Sequence, residues 1–330
     1  MPRCAENTRV LDILLVTFPF FALVLCGYFA ARRRMLPLDA IPGLNTFVLY
    51  FALPCLLYRF GASTPIGLLL DAAAAGVYLA CALVLVGFVV WSSRSARIGW
   101  NDASFGALVA AFPNTGFMGV PLLVALLGAA AAGPAILTIL IDLMITSSLC
   151  IALSRLDGAD EHGPALAARK ALQGVAVNPM PWAIAIGATV SASGYEPVKP
   201  LAQTIGLLAD AASPVALFTI GAVLARSQFV AAQEREGPMD WGDFLPVVLV
   251  KLLVHPALVW SAGSMAILAG LPLDRFALNV MVLVAALPSA SNVALLAERF
   301  GADTGRIARI ILLTTAAAFL TFSGAVALLR

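Results

Sequence analysis

The sequence predicts an all-α membrane protein. Ten transmembrane helices form two inverted five-helix repeats, and the fourth and ninth helices are broken. Three observations carry this. The 330 residues are 61% hydrophobic and only 12% charged, with mean hydropathy +0.97, whereas a soluble domain is about a quarter charged. Ten apolar segments follow one another, most of them about 20 residues or longer, enough for a helix to cross the hydrocarbon core and far too long for barrel strands. The link Arg155–Val177 divides them five and five. An odd number of spans per half sets the halves in opposite orientations.

The segments, in order, are Val10–Ala31, Ile41–Phe60, Leu68–Trp91, Ala103–Ala131, Pro134–Ser154, Asn178–Ser193, Leu201–Ala225, Phe244–Ala269, Arg275–Phe300 and Gly305–Leu328. The first reads as a span, not a cleaved leader. Its apolar run is too long, and Arg32-Arg33-Arg34 follows it instead of preceding it. The second carries Asn45 and Leu53-Pro54, and the seventh carries Asp210 and, in step with the second, Ser213-Pro214. The fourth and ninth are long, as tilted or broken helices are. The fourth contains Pro113, Asn114, Thr115, Gly116, Gly119 and Pro121, and the ninth contains Pro288, Ser289, Ser291 and Asn292. The sixth is the shortest. Residues 1–154 thus form one repeat, 155–177 a cytoplasmic linker and 178–330 the second repeat.

Orientation follows from Lys and Arg in the short loops. One alternate set of loops carries thirteen: Arg32, Arg33, Arg34, Arg94, Arg97, Arg155, Arg169, Lys170, Arg226, Arg235, Arg299, Arg306 and Arg309. The other side carries six: Arg3, Arg9, Arg59, Lys199, Arg275 and Arg330. The richer side is expected in the cytoplasm, with both termini outside an inner or plasma membrane.

Several classes find no support. A net charge of +2 gives no sign of nucleic acid. The five cysteines are scattered singly, without Cys-x-x-Cys or Cys/His spacing, so neither a disulfide framework nor a metal site is indicated. No phosphate loop or nucleophile elbow stands out, and no cofactor is implied. The two histidines, His162 and His255, have no catalytic partner by spacing, so a membrane-embedded enzyme is disfavoured.

The two interrupted spans occupy corresponding positions, which points to a transporter binding site. Backbone freed by a break must find partners, because lipid offers none. Half-helix N-termini facing the break suit a carboxylate, and carbonyls at the opposite ends suit a cation. The blander reading is a pair of kinked helices whose glycines permit close packing and whose asparagines cap the half-helices.

The stretches LNTFVLYFALPCLL (Leu44–Leu57), FPNTGFMGVPLL (Phe112–Leu123), SPVALFTIGAVLA (Ser213–Ala225), KLLVHPALV (Lys251–Val259) and LPSASNVALLAERFGAD (Leu287–Asp303) resemble the auxin efflux carrier family, in its bacterial branch of malonate and malate carriers. The likeness covers essentially all ten spans. It implies a fold like that of the bile acid–sodium symporters, with spans 4 and 9 crossing at the substrate site. Spans 1, 2, 6 and 7 would form a scaffold, and 3–5 with 8–10 a core that moves like an elevator. The implied function is secondary transport of a small organic anion, such as malonate or malate. An indole-acid or other organic-acid exporter and an anion channel remain as alternatives. A homodimer, if one forms, would pack through the scaffold.

The candidate substrate-binding residues are Pro113, Asn114, Thr115, Gly116, Pro288, Ser289, Ser291 and Asn292, with Asn45 and Pro54 facing them from the scaffold. Ionisable groups in the hydrocarbon are costly and default to function. Asp142 lies about 12 Å into span 5, Asp210 similarly deep in span 7, and Lys251 near enough to the start of span 8 to snorkel out. These three are the candidates for coupling to H+ or Na+. His255, before Pro256, reads as a packed histidine. Asp142 can carry a proton in one half of a cycle and release it in the other, which favours proton-linked or uncoupled transport over sodium symport.

Overall fold

The computed structural model describes residues 2–63, 71–95, 97–156, 179–233 and 241–329. Among them the structure is all-helical, and its sole strand-like pairing is one antiparallel bridge between Pro113 and Ser289. Of the expected linker only Arg155 and Leu156 are described. Arg169, Lys170 and Arg235 lie outside the described residues.

The helices are α1 (Pro2–Arg32), α2 (Ile41–Phe47), α3 (Leu53–Ser63), α4 (Ala72–Ser93), α5 (Trp100–Ala111), α6 (Val120–Leu127), α7 (Ala132–Ile141), α8 (Ser147–Leu153), α9 (Pro179–Ser193), α10 (Lys199–Gln233), α11 (Leu245–Leu249), α12 (His255–Leu268), α13 (Arg275–Ala285), α14 (Asn292–Phe300) and α15 (Thr304–Leu329). Widened π-helical turns join α2 to α3 (Val48–Ala52), α7 to α8 (Asp142–Thr146) and α11 to α12 (Val250–Val254), and a fourth, Thr115–Gly119, leads into α6.

Among the described residues seven helical stretches are long and apolar enough to cross a membrane: Leu15–Arg32, Leu38–Ser63, Ala72–Ser93, Ala129–Leu153, Lys199–Arg226, Leu245–Leu268 and Thr304–Leu329. The other three of the ten expected segments are not continuous apolar helices of that length among the described residues. The fourth, sixth and ninth segments contain shorter apolar helices, Thr115–Leu127, Trp182–Ser193 and Arg275–Ala285. In the fourth and ninth the cause is physical. Pro113 and Pro288 each lack the N–H that a continuing helix requires, and both chains leave the helix beside them.

Helix ends follow local chemistry. Asp71 and Asp274 cap α4 and α13 by accepting from the Ala74 and Ala277 N–H groups at 2.9 and 3.1 Å. Gly301, at φ 68°, ends α14 in the left-handed conformation that favours glycine.

Two helix pairs pack at backbone distance. α1 lies along α10, where a Cβ on Gly27 would stand 1.8 Å from the Phe218 carbonyl oxygen and one on Gly221 would stand 1.8 Å from that of Val24. α9 lies along α3, where a Cβ on Gly187 would stand 2.3 Å from the Tyr58 oxygen and one on Gly61 would stand 2.6 Å from that of Ile184. Gly27 and Gly187 are separated by the same interval in sequence as Gly61 and Gly221, and as Pro54 and Pro214. Because α3 also packs on α10, these four helices make one continuous unit.

At one end of the molecule Arg306 latches three helix starts together. Its Nε donates to the Asp243 carbonyl and its Nη1 to the Asp102 carbonyl, both at 2.8 Å, and its backbone N–H donates to Asp303 Oδ1. Arg306 is only 2% exposed. It is thus not the free loop charge that the sequence suggests, because the start of α15 folds back between α5 and α11.

Candidate functional site

The two interruptions meet. After α5 the chain is extended at Phe112, with φ −100° and ψ 99°. The Asn114 N–H donates to the Pro288 carbonyl at 2.8 Å, and the Ala290 N–H donates to the Phe112 carbonyl at 2.9 Å. Gly119 permits the approach, since a Cβ there would lie 2.5 Å from Leu287 Cδ1. The Asn114 carbonyl accepts from the Met118 and Gly119 N–H groups, and the Ser289 N–H donates to Thr314 Oγ1 at 3.3 Å. Much of the freed backbone is therefore satisfied inside the protein, so fewer of its groups are free for a ligand than the sequence suggests.

The side chains are what remain. Thr115 Oγ1, Ser289 Oγ and Asn292 Oδ1 are buried without a hydrogen-bond partner. Leaving one such group unpaired costs about 1–3 kcal/mol, and all three belong to the two breaks. Hydroxyls can donate to a carboxylate, and an amide can donate or accept. Asn114 is 4% exposed, Pro113 and Pro288 are buried, and Gly116 and Ser291 are half-buried. Ser213, next to Pro214 in α10, donates from Oγ to the Phe117 carbonyl at 3.0 Å. Leu53, next to Pro54, lies 3.8 Å from a Cβ position on Gly116. The two Pro-bearing positions on α3 and α10 thus both border the meeting point. Asn45 is half-buried in α2, about 12 Å along the helix from Leu53 at 1.5 Å per residue.

A second polar cluster lies in the interior. Tyr78 donates to Asp142 Oδ2 at 3.0 Å, and Thr146 donates to Asp142 Oδ1 at 3.1 Å. Lys251 Nζ donates to the Ala285 carbonyl at 2.9 Å and lies 3.1 Å from His255 Nδ1. With the ammonium donating, Nδ1 is the acceptor. The Tyr78 and His255 rings stand 6.3 Å apart between centroids. Tyr78, Asp142, Lys251 and His255 are all 0% exposed, and the charges of Asp142 and Lys251 act on each other without a direct ion pair. Ala285 ends α13 immediately before the ninth-segment break, so Lys251 fastens this cluster to the crossing.

The structure places the ionisable candidates as follows. Lys251 does not snorkel to the surface. It turns inward because the Ala285 carbonyl at a helix C-terminus attracts a cation. His255 is packed, as expected, and its Nδ1 accepts from the lysine. Asp210 belongs to neither cluster. It pairs with Arg59 at 2.6 Å on an open surface, with the two side chains 42% and 69% exposed for Arg59 and Asp210. Tyr78 was not anticipated. Its signal in the sequence is one hydroxyl in an otherwise apolar stretch, AAAAGVYLACALVLV, with nothing to place it opposite Asp142.

Sequence comparison places the chain among membrane transport proteins. The family described as "Membrane transport protein" matches residues 13–326. A protein of Rhizobium meliloti (strain 1021) named "Putative malonate transporter" is 30% identical over 325 residues, covering 97% of this chain and 96% of its own. The "Uncharacterized transporter YfdV" of Escherichia coli (strain K12) is 28% identical over 293 residues, 87% of this chain and 88% of its own. "Auxin efflux carrier component 7" of Arabidopsis thaliana is 26% identical over 151 residues, 44% of this chain and 24% of its own. The chain is an integral membrane protein and belongs to the auxin efflux carrier family of membrane transport proteins.

Proposed function

We propose that the protein is a secondary transporter of a small organic anion, a mono- or dicarboxylate such as malonate or malate, that binds where the two breaks meet. The observation that carries this is the pair of buried, unpartnered hydroxyls on Thr115 and Ser289, which can donate to a carboxylate, with the unpartnered Asn292 Oδ1 beside them as an acceptor for a substrate O–H. The printed name of the Rhizobium meliloti relative favours malonate within that class. In this reading the chain forms two inverted five-span repeats whose broken spans cross. The equal spacing of the Gly27/Gly187, Gly61/Gly221 and Pro54/Pro214 pairs supports the repeat. The backbone-tight unit of α1, α3, α9 and α10 serves as the scaffold, and the crossing moves against it as the core.

Ion coupling is assigned to the interior cluster. Lys251 places a cation against a half-helix carbonyl, the position a coupling metal ion would otherwise take, and Asp142, held by Tyr78 and Thr146, is the acid near it that can take up and release a proton. This favours proton-linked or uncoupled transport over sodium symport.

The test is uptake of labelled malonate into proteoliposomes. Saturable uptake accelerated by internal malonate is expected. Ohmic current without counter-substrate stimulation would make it a channel. Competition by indole-3-acetate but not by malonate or malate would move the substrate class to indole acids.

A further inference from the structure

A groove of about 380 Å³ runs between α1, α10 and α15, away from both polar clusters. That volume is in the range of small-ligand pockets, roughly 300–1,000 Å³. Phe21 meets Phe319 edge-to-face at 5.2 Å on its wall. Phe18 and Leu25, 60% and 54% exposed, line the groove and leave it open sideways. Water has little to bind there. Thr315 Oγ1 is spent on the Ile311 carbonyl at 2.7 Å, and a trapped water needs two or more polar partners. A small dicarboxylate would meet only apolar walls.

One end differs. Tyr28 and Gln228 line it, the Tyr28 hydroxyl donating to Gln228 Oε1 at 2.7 Å and accepting from Arg32 Nη1 at 2.9 Å. The Arg34 guanidinium lies 4.7 Å from the ring centre of Phe229, next to Gln228. Arg32, Arg33 and Arg34 are all exposed. Arg32 commits only one of its N–H groups to Tyr28 in this network, and a guanidinium fork suits a phosphate. An apolar groove with a cluster of arginines at its mouth matches the two ends of an anionic phospholipid.

We propose that this groove seats one acyl chain of an anionic phospholipid, with the lipid phosphate held by Arg32 and Arg34. The binding claim stands on the groove and the arginines alone. Its consequence for transport rests on the functional reading above, in which α1 and α10 belong to the scaffold and α15 to the core. A chain lying between them then bears on their relative motion.

Native mass spectrometry of the purified protein, with phosphatidylglycerol and phosphatidylcholine of identical chains added together, tests the binding. One bound phosphatidylglycerol is expected, preferred by about tenfold or more. The Arg32→Gln/Arg34→Gln variant should bind both lipids equally. Ala316→Trp, which fills the groove, should release both, and Ala22→Phe on the facing wall serves if that variant does not elute as a single species. Equal binding by the wild-type protein overturns the proposal. So does undiminished phosphatidylglycerol in the filled variants, displacement of the lipid by inorganic phosphate or malonate, or a dimer in which a second copy covers Phe18 and Leu25. Uptake into vesicles with and without phosphatidylglycerol should differ several-fold. Identical uptake with the lipid still bound overturns the transport consequence and leaves the seat intact.

Discussion

Lys251 reaches 2.9 Å from the carbonyl of Ala285, joining the first third of the eighth segment to the last turn before the break in the ninth. Lys251→Met keeps the volume and removes the donor. The Ala285 carbonyl is then left buried without its donor, which costs about 1–3 kcal/mol, and Asp142 loses the nearby positive charge while keeping its bonds to Tyr78 and Thr146. A fall in melting temperature with loss of uptake is expected. The double variant Lys251→Met/Asp142→Leu removes both charges and should recover much of the stability, because an apolar replacement of a buried charged pair is often neutral. Thermal denaturation of the three proteins decides this. A single variant as stable as its parent would mean the lysine is not held by the contacts described.

Asn292 Oδ1 has no partner in the protein. Asn292→Leu should therefore cost little stability while reducing uptake sharply, and Asn114→Leu should behave likewise. Proteoliposome uptake at matched protein content is the measurement. Transport at the parent rate in either variant removes that residue from the proposed site.

Gly221→Ala and Gly187→Ala place a Cβ 1.8 Å and 2.3 Å from a backbone oxygen. Neither helix can yield without moving its partner, so both should lower the yield of folded protein and its melting temperature. Gly76→Ala meets nothing within 4 Å and should be neutral or slightly stabilising, since alanine favours a helix by about 1 kcal/mol over glycine. Equal behaviour of the three would argue against backbone-tight packing.

Met35 follows α1 and is 80% exposed, and Tyr195 precedes α10 and is 61% exposed. In a cysteine-free background, Met35→Cys should react with an impermeant maleimide only after the membrane is opened, and Tyr195→Cys should react in intact cells. The reverse pattern would invert the proposed orientation.

Asp142→Asn retains hydrogen-bonding capacity but cannot exchange a proton. Tyr78 and Thr146 hydrogen-bond this carboxyl directly, the Lys251 charge acts on it from the neighbouring Lys251–His255 pair, and Cys81 and Cys150 border the cluster as neutral thiols. The variant should keep malonate exchange and lose accumulation driven by a pH gradient. An unchanged pH response, or wild-type uptake that follows a sodium gradient at fixed pH, would remove proton linkage from Asp142.

The breaks were legible because several helix-disfavouring residues fall together: Pro113 with Gly116, Gly119 and Pro121, and Pro288 with Ser289 and Ser291, whereas the isolated Pro19 and Pro214 sit inside continuous helices. The interior acid and base were legible because a charge among apolar neighbours is costly wherever it sits. Partners were not. Nothing local ties Tyr78 to Asp142, or Lys251 to Ala285, because each pairing spans separate helices. The partner of Asp210 was hidden for the same reason, since Arg59 reaches it from α3. Arg306 looked like a loop charge, and only the docking of three helix starts makes it a buried latch. Helix periodicity had little to offer here, because a chain surrounded by lipid is apolar on its outer faces as well as its inner ones.

The pairing of one base with one acid in the interior has an electrical consequence. An ammonium on Lys251 with a carboxylate on Asp142 sums to zero, and so does the same pair after a proton has passed from one to the other. Membrane voltage does work of about 2.3 kcal/mol per elementary charge per 100 mV, but on a neutral pair it does none. Whatever distance the cluster travels, the field acts only on what travels with it. Carriage of a dianion, a monoanion or an anion with a proton should therefore be told apart by the charge moved per molecule, measured as current against flux.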